Sequence, residues 1–144
     1  MKEPWWALGF LLLSGFLIGA QATAGAIDER RALMRAIAGE LQQIWEGLAQ
    51  QDLVVVEKGA HRIAAQAVRF PTLFPPESFH APSRAQPAIR KEFRTFETLA
   101  VNLKESAQEV ELSARNGRVA EVRAHLDRLV QTCRQCHRSF IRPY

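Results

Sequence analysis

Residues 118–141 read RVAEVRAHLDRLVQTCRQCHRSFI, and this stretch decides the fold. Val119, Val122, Leu126, Leu129, Val130, Cys133, Cys136, His137 and Phe140 recur at steps of one to four, mostly three and four, the spacing that puts one stripe of a helix against a core. The pattern predicts a helix from about Arg118 to Ile141. Its apolar stripe runs directly into Cys133-Arg134-Gln135-Cys136-His137, a CxxCH motif.

That motif has a specific chemistry. Residues three apart on a helix share a face, so both thiols can add to the two vinyl groups of one haem. The adjacent His137 can then offer its imidazole to the iron as the proximal ligand, and the thioethers keep the porphyrin on the helix if the axial bond breaks. Other uses of the same residues fit less well. Two Cys in the whole chain could supply only half of a Cys-rich zinc site. A thioredoxin-like dithiol belongs at the start of a helix that follows a strand, and a Cys133–Cys136 disulfide would strain a continuing helix while leaving His137 unused. The predicted cofactor is one haem c, covalently bound through Cys133 and Cys136.

Working outward from this segment, the preceding sequence is helical throughout. Asn116-Gly117 supplies a left-handed stop for a third helix that opens near Pro87. The stripe of that helix is Ile89, Phe93, Phe96, Leu99, Ala100, Leu103, Ala107 and Val110. A second helix starts with Asp52 as N-cap, buries Val56, Ala60, Ile63, Ala64 and Ala67, and stops at Phe70-Pro71. The first runs over residues 28–50 on Met34, Ile37, Leu41, Ile44, Trp45 and Leu48. Residues 70–87 hold five of the seven prolines and read as a long ordered connection pinned by Leu73, Phe74 and Phe79. Val54-Val55-Val56 is rejected as a strand because no second alternating segment exists to pair with it. The predicted fold is all-α: an antiparallel four-helix bundle carrying covalent haem c near the C-terminus.

Composition supports one compact domain and excludes several function classes. The 144 residues are 47% hydrophobic and 24% charged, and 19 Lys+Arg against 15 Asp+Glu leave a net charge of +4. The basic excess is too small and scattered to demand nucleic acid. The arginines, among them Arg115, Arg118, Arg123 and Arg128, read as wet helix faces that could steer the protein to an acidic redox partner or an anionic membrane surface. No catalytic triad, phosphate loop or carboxylate pair stands out, so no enzymatic activity is expected. Residues 7–19 (ALGFLLLSGFLIG) form an uncharged apolar run behind Lys2 and Glu3, followed by the small-x-small patterns Ala20-Gln21-Ala22 and Ala22-Thr23-Ala24. This reads as a signal peptide over residues 1–24, cut near Ala24 to release a periplasmic domain of residues 25–144. If it stays uncut, Trp5 and Trp6 would anchor the chain at a membrane surface.

Three pieces of sequence together resemble the cytochrome c′ family, the class II c-type cytochromes. They are Arg30 with Met34 in the first helix, Leu73-Phe74-Pro75 leading to Pro87-Ala88-Ile89 and Phe93, and residues 133–140 in the last helix. The resemblance implies that the first helix crosses the distal face of the haem, with the residue four after a characteristic Arg aimed at the iron. Here that residue is Met34. High-spin members carry a noncoordinating bulky residue there, whereas low-spin relatives use a methionine as sixth ligand. The resemblance likewise places Arg30 near the haem propionates, the bland alternative being a solvated surface charge. One departure stands out: members commonly have a basic residue four positions after the proximal histidine, and here that position is Ile141, with Arg138 and Arg142 to either side.

The expected function is therefore a periplasmic monohaem electron carrier, with Cys133 and Cys136 as attachments, and His137 and Met34 as iron ligands. The alternative is a five-coordinate haem protein that binds nitric oxide or carbon monoxide with Met34 as a steric gate. The resemblance also implies a homodimer face on the first two helices. His125, twelve residues or roughly 18 Å along the helix from His137, cannot share its iron. His61 and His80 read as surface histidines, and Phe70, Phe74, Phe93, Phe96, Phe140 and Trp45 as core or haem-pocket packing.

Overall fold

A computed structural model describes residues 14–143, with side chains from Gly25 onward. The predicted signal peptide lies largely outside that range. Among the described residues no helix is long and apolar enough to cross a membrane.

Five helices follow in order: α1 (Ser14–Ala49), α2 (Leu53–Arg69), α3 (Ala88–Lys91), α4 (Phe93–Arg115) and α5 (Val119–Phe140). A 3-10 turn, Phe70–Leu73, ends α2. No strand is formed among the described residues, in agreement with the all-α reading. The termini follow the local chemistry. Asp52 accepts from the backbone N–H groups of Val54 and Val55 at the start of α2. Gly117 takes φ +70°, and Arg118 N–H closes back onto the Ser113 carbonyl, so α4 ends in a Schellman turn that needs a residue without Cβ.

α1 packs on α2, α2 on α4, and α4 on α5. The main core lies toward one end of the bundle and is built from Ile44, Val56, Ile63, Val110, Val122 and Leu126, all fully buried. α1 and α2 pack tightly at Gly59, where an added Cβ would stand 2.8 Å from Ile44 Cγ1. A second cluster fills the other end, where Phe70, Phe74, Phe96 and Phe140 meet edge to face or tilted, Phe74 and Phe96 with centroids 4.7 Å apart.

Three features differ from expectation. The first helix, expected to open at Asp28, is already helical from Ser14, within the segment read as a signal peptide. The single predicted third helix is broken at Glu92, whose φ −113° and ψ 33° leave the helical region. The break interrupts the register that joined Ile89 to Phe93, so Ile89 and Phe96 are buried while Phe93 is 37% exposed. Trp45, expected in the stripe of α1, is 43% exposed, because the buried face narrows to Ile44 and Leu48 where α1 leans on α2.

The connection over residues 74–87 is ordered and fixed at both ends. Arg30 of α1 is only 4% exposed and donates to the carbonyls of Leu73 and Ser78 and to the hydroxyls of Ser78 and Ser83. Its guanidinium lies 4.8 Å from the centre of the Phe74 ring and 5.8 Å from that of Phe79. At the other end, an antiparallel bridge pairs Ala85 with Ile141. Gln86 N–H donates to the Phe140 carbonyl, Arg142 N–H to that of Arg84, and the Gln86 side-chain amide to that of Ile141.

Candidate functional site

α1 and α5 do not close against each other along the aromatic end, and an apolar cleft of about 410 Å³ opens between them. Cys133, Cys136 and His137 enter it from α5, Met34 and Leu41 from α1, and Phe70, Phe74, Phe96 and Phe140 form its floor. The stripe of α5 explains this: Val122, Leu126 and Leu129 are sealed in the core, whereas one and two turns later the same face meets open space. Residues of core type therefore stay reachable from the cleft. Both sequence-predicted attachment cysteines are free thiols on one helical face.

Burial raises the Cys133 thiol above its ordinary range. Cys136 is pushed up to about 11, by burial first and then by its neighbour Cys133. Such thiols stay protonated at neutral pH, unlike the depressed thiolate of a redox dithiol or a metal-binding pair. The His137 imidazole is held below its ordinary value, by burial first and then by the positive charge of Arg84. It is therefore neutral, the form that binds a metal through nitrogen.

The donor set and the cleft together fit a haem. Two thiols one turn apart, a neutral imidazole beside them and an apolar slot with aromatic walls are what a porphyrin joined by two thioethers requires. The thioether of Met34, a soft donor that suits iron, faces the same slot from the opposite helix.

Other predicted residues fall as follows. Arg30 borders the cleft, yet its N–H groups make three bonds to the 74–87 connection and one to the Leu73 carbonyl just before it, which overturns the reading of it as a solvated charge. Neither Arg138 nor Arg142 is the cation that acts on His137; that cation is Arg84, which the bridge at Ala85 brings against the end of α5. Sequence reasoning missed it because the connection gives no periodic signal of where its charges point. His61 pairs with Glu111 at the surface, His80 is exposed, and His125 bonds to the Ser113 hydroxyl and the Glu109 carbonyl. None of these three lines the cleft.

Comparison with known proteins agrees with this geometry. A family model described as cytochrome C′ matches residues 25–141. The chain is 32% identical over 120 residues to a cytochrome c-556 of Agrobacterium tumefaciens, covering 81% of this chain and 97% of that protein. It is 28% identical over 121 residues to a cytochrome c′ of Rhodospirillum rubrum, covering 81% and 82%. Among solved structures, cytochrome c′ of Thermochromatium tepidum superposes with a TM-score of 0.74 at 21% identity, covering 81% of this chain and 94% of that one. Cytochrome c′ of Shewanella frigidimarina gives 0.77 at 18% identity, covering 84% and 97%. The two structural likenesses speak for the bundle alone.

Proposed function

The chain belongs to the cytochrome c′ family, whose cofactor is haem c, and from that premise we propose that it is a periplasmic electron carrier with one six-coordinate haem. Cys133 and Cys136 would hold the porphyrin through thioethers, and His137 and Met34 would supply ligands to its iron. When bound, haem c supplies a one-electron ferric/ferrous couple.

The remaining work is done by residues of this chain. The apolar walls would give the metal a surrounding of low polarity, and the neutral imidazole of His137 is ready to ligate without first losing a proton. Arg84 places a fixed positive charge beside it, which favours the less positive ferrous state. Arg30 fixes the 74–87 connection and, one turn along α1, the position of Met34. The Met34 thioether, facing the slot opposite His137, would limit rearrangement on electron transfer and exclude small gases from the iron. Residues 1–24 deliver the chain to the periplasm, where covalent attachment takes place.

The observation that carries this reading is that Met34 from α1 and the Cys133-Cys136-His137 face of α5 line the same cleft from opposite sides. The test is the optical spectrum of the oxidised holoprotein. A low-spin haem with a sulfur-to-iron charge-transfer band, converted to high-spin in Met34→Leu, is the expected result. A high-spin spectrum unchanged by Met34→Leu would instead leave the gas-binding alternative standing. Intact mass of the exported protein reports loss of residues 1–24 and gain of one haem together.

A further inference from the structure

Charge is distributed unevenly around the cleft. Arg30, Arg31, Arg35 and Arg84 are among its lining residues, and no aspartate or glutamate is. Arg30 is turned inward to the connection, but Arg31 and Arg35 are exposed and stand one turn apart on α1. Arg134 and Arg138 repeat that spacing on α5, both exposed, beside the attachment residues. From Arg128 to the C-terminus the sequence has four arginines and no acid.

Helix geometry puts the α1 pair on the cleft face and Arg134 at its rim, with Arg138 further out toward solvent. α5 turns one side to α4, where Thr132 meets Ser106 and Arg128 pairs with Glu109. At about 100° per residue, Arg134 falls on the flank of α5 away from α4, about 60° past the cleft-facing His137, and Arg138 about 40° further round toward solvent. On α1, Glu40 marks the side turned to α2 through its pair with Arg62, and Arg31 and Arg35 again lie across the cleft face from it. The acid found beside them, Asp28, meets Arg31 at 3.8 Å with both side chains exposed, a pair too solvated to cancel the field.

We propose that this collar of Arg31, Arg35, Arg134 and Arg138 is the docking surface for an acidic redox protein, whose carboxylates meet it over the cleft. The proposal rests on the electron-carrier reading. In the exchange one electron leaves the reduced protein, which becomes ferric, and the centre of the acidic partner is reduced by one unit. An anionic membrane is the competing occupant, but positive charge gathered about a redox cleft does more for a partner that must come within electron-transfer distance of it.

The experiment uses reduced holoprotein and two small one-electron oxidants of opposite charge, ferricyanide and tris(phenanthroline)cobalt(III), across a range of ionic strength. Oxidation by ferricyanide should slow as salt rises and oxidation by the cobalt complex should quicken. Arg31→Gln/Arg35→Gln and Arg134→Gln/Arg138→Gln should each slow the ferricyanide reaction about fivefold or more at low salt. Arg118→Gln/Arg128→Gln, which removes the same charge elsewhere, should change it less than about twofold. If Arg134→Gln/Arg138→Gln hampers haem attachment, the α1 pair alone decides. Poly-L-glutamate should inhibit ferricyanide oxidation of the wild type and lose that effect on the collar variants. Equal slowing in the control variant, or no slowing in either collar variant, overturns the proposal. So does inhibition by phosphatidylglycerol vesicles with none by poly-L-glutamate. Failure of both complexes to take an electron refutes the carrier reading itself, a different outcome from exchange that ignores the collar.

Discussion

Replacing Arg30 by Met keeps most of the apolar stem and removes the guanidinium that pins the 74–87 connection. In the folded protein that group satisfies four acceptors away from water. Two of them keep another partner, since Ser78 Oγ donates to the Pro75 carbonyl and Ser83 Oγ accepts from Ala85 N–H. The carbonyls of Leu73 and Ser78 lose the Arg30 bond, at about 1–3 kcal/mol for each that is left orphaned. Loss of the cation stacked on Phe74 and Phe79 adds about 1 kcal/mol. Relief from burying a guanidinium offsets part of this, because burial lowers the Arg30 pKa and thus disfavours its charged form. The net expectation is a loss of about 2–4 kcal/mol, or a fall in Tm of about 10 °C for a domain of this size. Thermal unfolding of the holoprotein measures it, and proteolysis should begin within residues 74–87. A variant within about 1 kcal/mol of wild type, with that segment still resistant, would refute the claim that Arg30 holds the connection in place.

Gly59→Ala should destabilise by about 1–3 kcal/mol, since the new methyl would stand 2.8 Å from Ile44 Cγ1; Ile44→Ala, which removes that atom, should cost less in the Gly59→Ala background than in the wild type in a denaturant melt. The haem-free protein should show stability limbs at both ends of the pH range. Cys136 is raised from 9.0 to about 11 in the fold, so its contribution is intact below about pH 9 and lost as pH rises through 11. His137 is lowered from 6.5, so its contribution is intact above that value and lost as pH falls. Urea midpoints should therefore be level between these limits; Cys136→Ser should shrink the alkaline limb, and Cys133→Ser/Cys136→Ser should remove it, since burial raises both thiols.

The fold was legible where one physical signal dominated. Helix α2 was readable from end to end because Asp52 caps it, an apolar stripe runs through it and Phe70-Pro71 stops it. Glycine at 117 marked the end of α4 for a similar reason. Periodicity failed where the backbone left the helix, as at Glu92, and where a large apolar side chain sat one position off the contact line, as at Trp45. Of the site, the α5 donors followed from spacing alone, while Met34 needed the family pattern to be singled out from other core residues. The task of Arg30 was hidden because its partners are 43 to 53 residues away, and that of Arg84 because only tertiary pairing aims it at His137.

The segment between α2 and α3 has a mechanical meaning beyond its hydrogen bonds. One end is gripped from α1 a single turn before Met34, and the other is stitched to α5 a single turn after His137. It thus works as a caliper across the two arms of the cleft, setting the span between a sulfur on one and a nitrogen on the other. Changes in its length or stiffness would reset the distance between Met34 and His137 without any substitution of either.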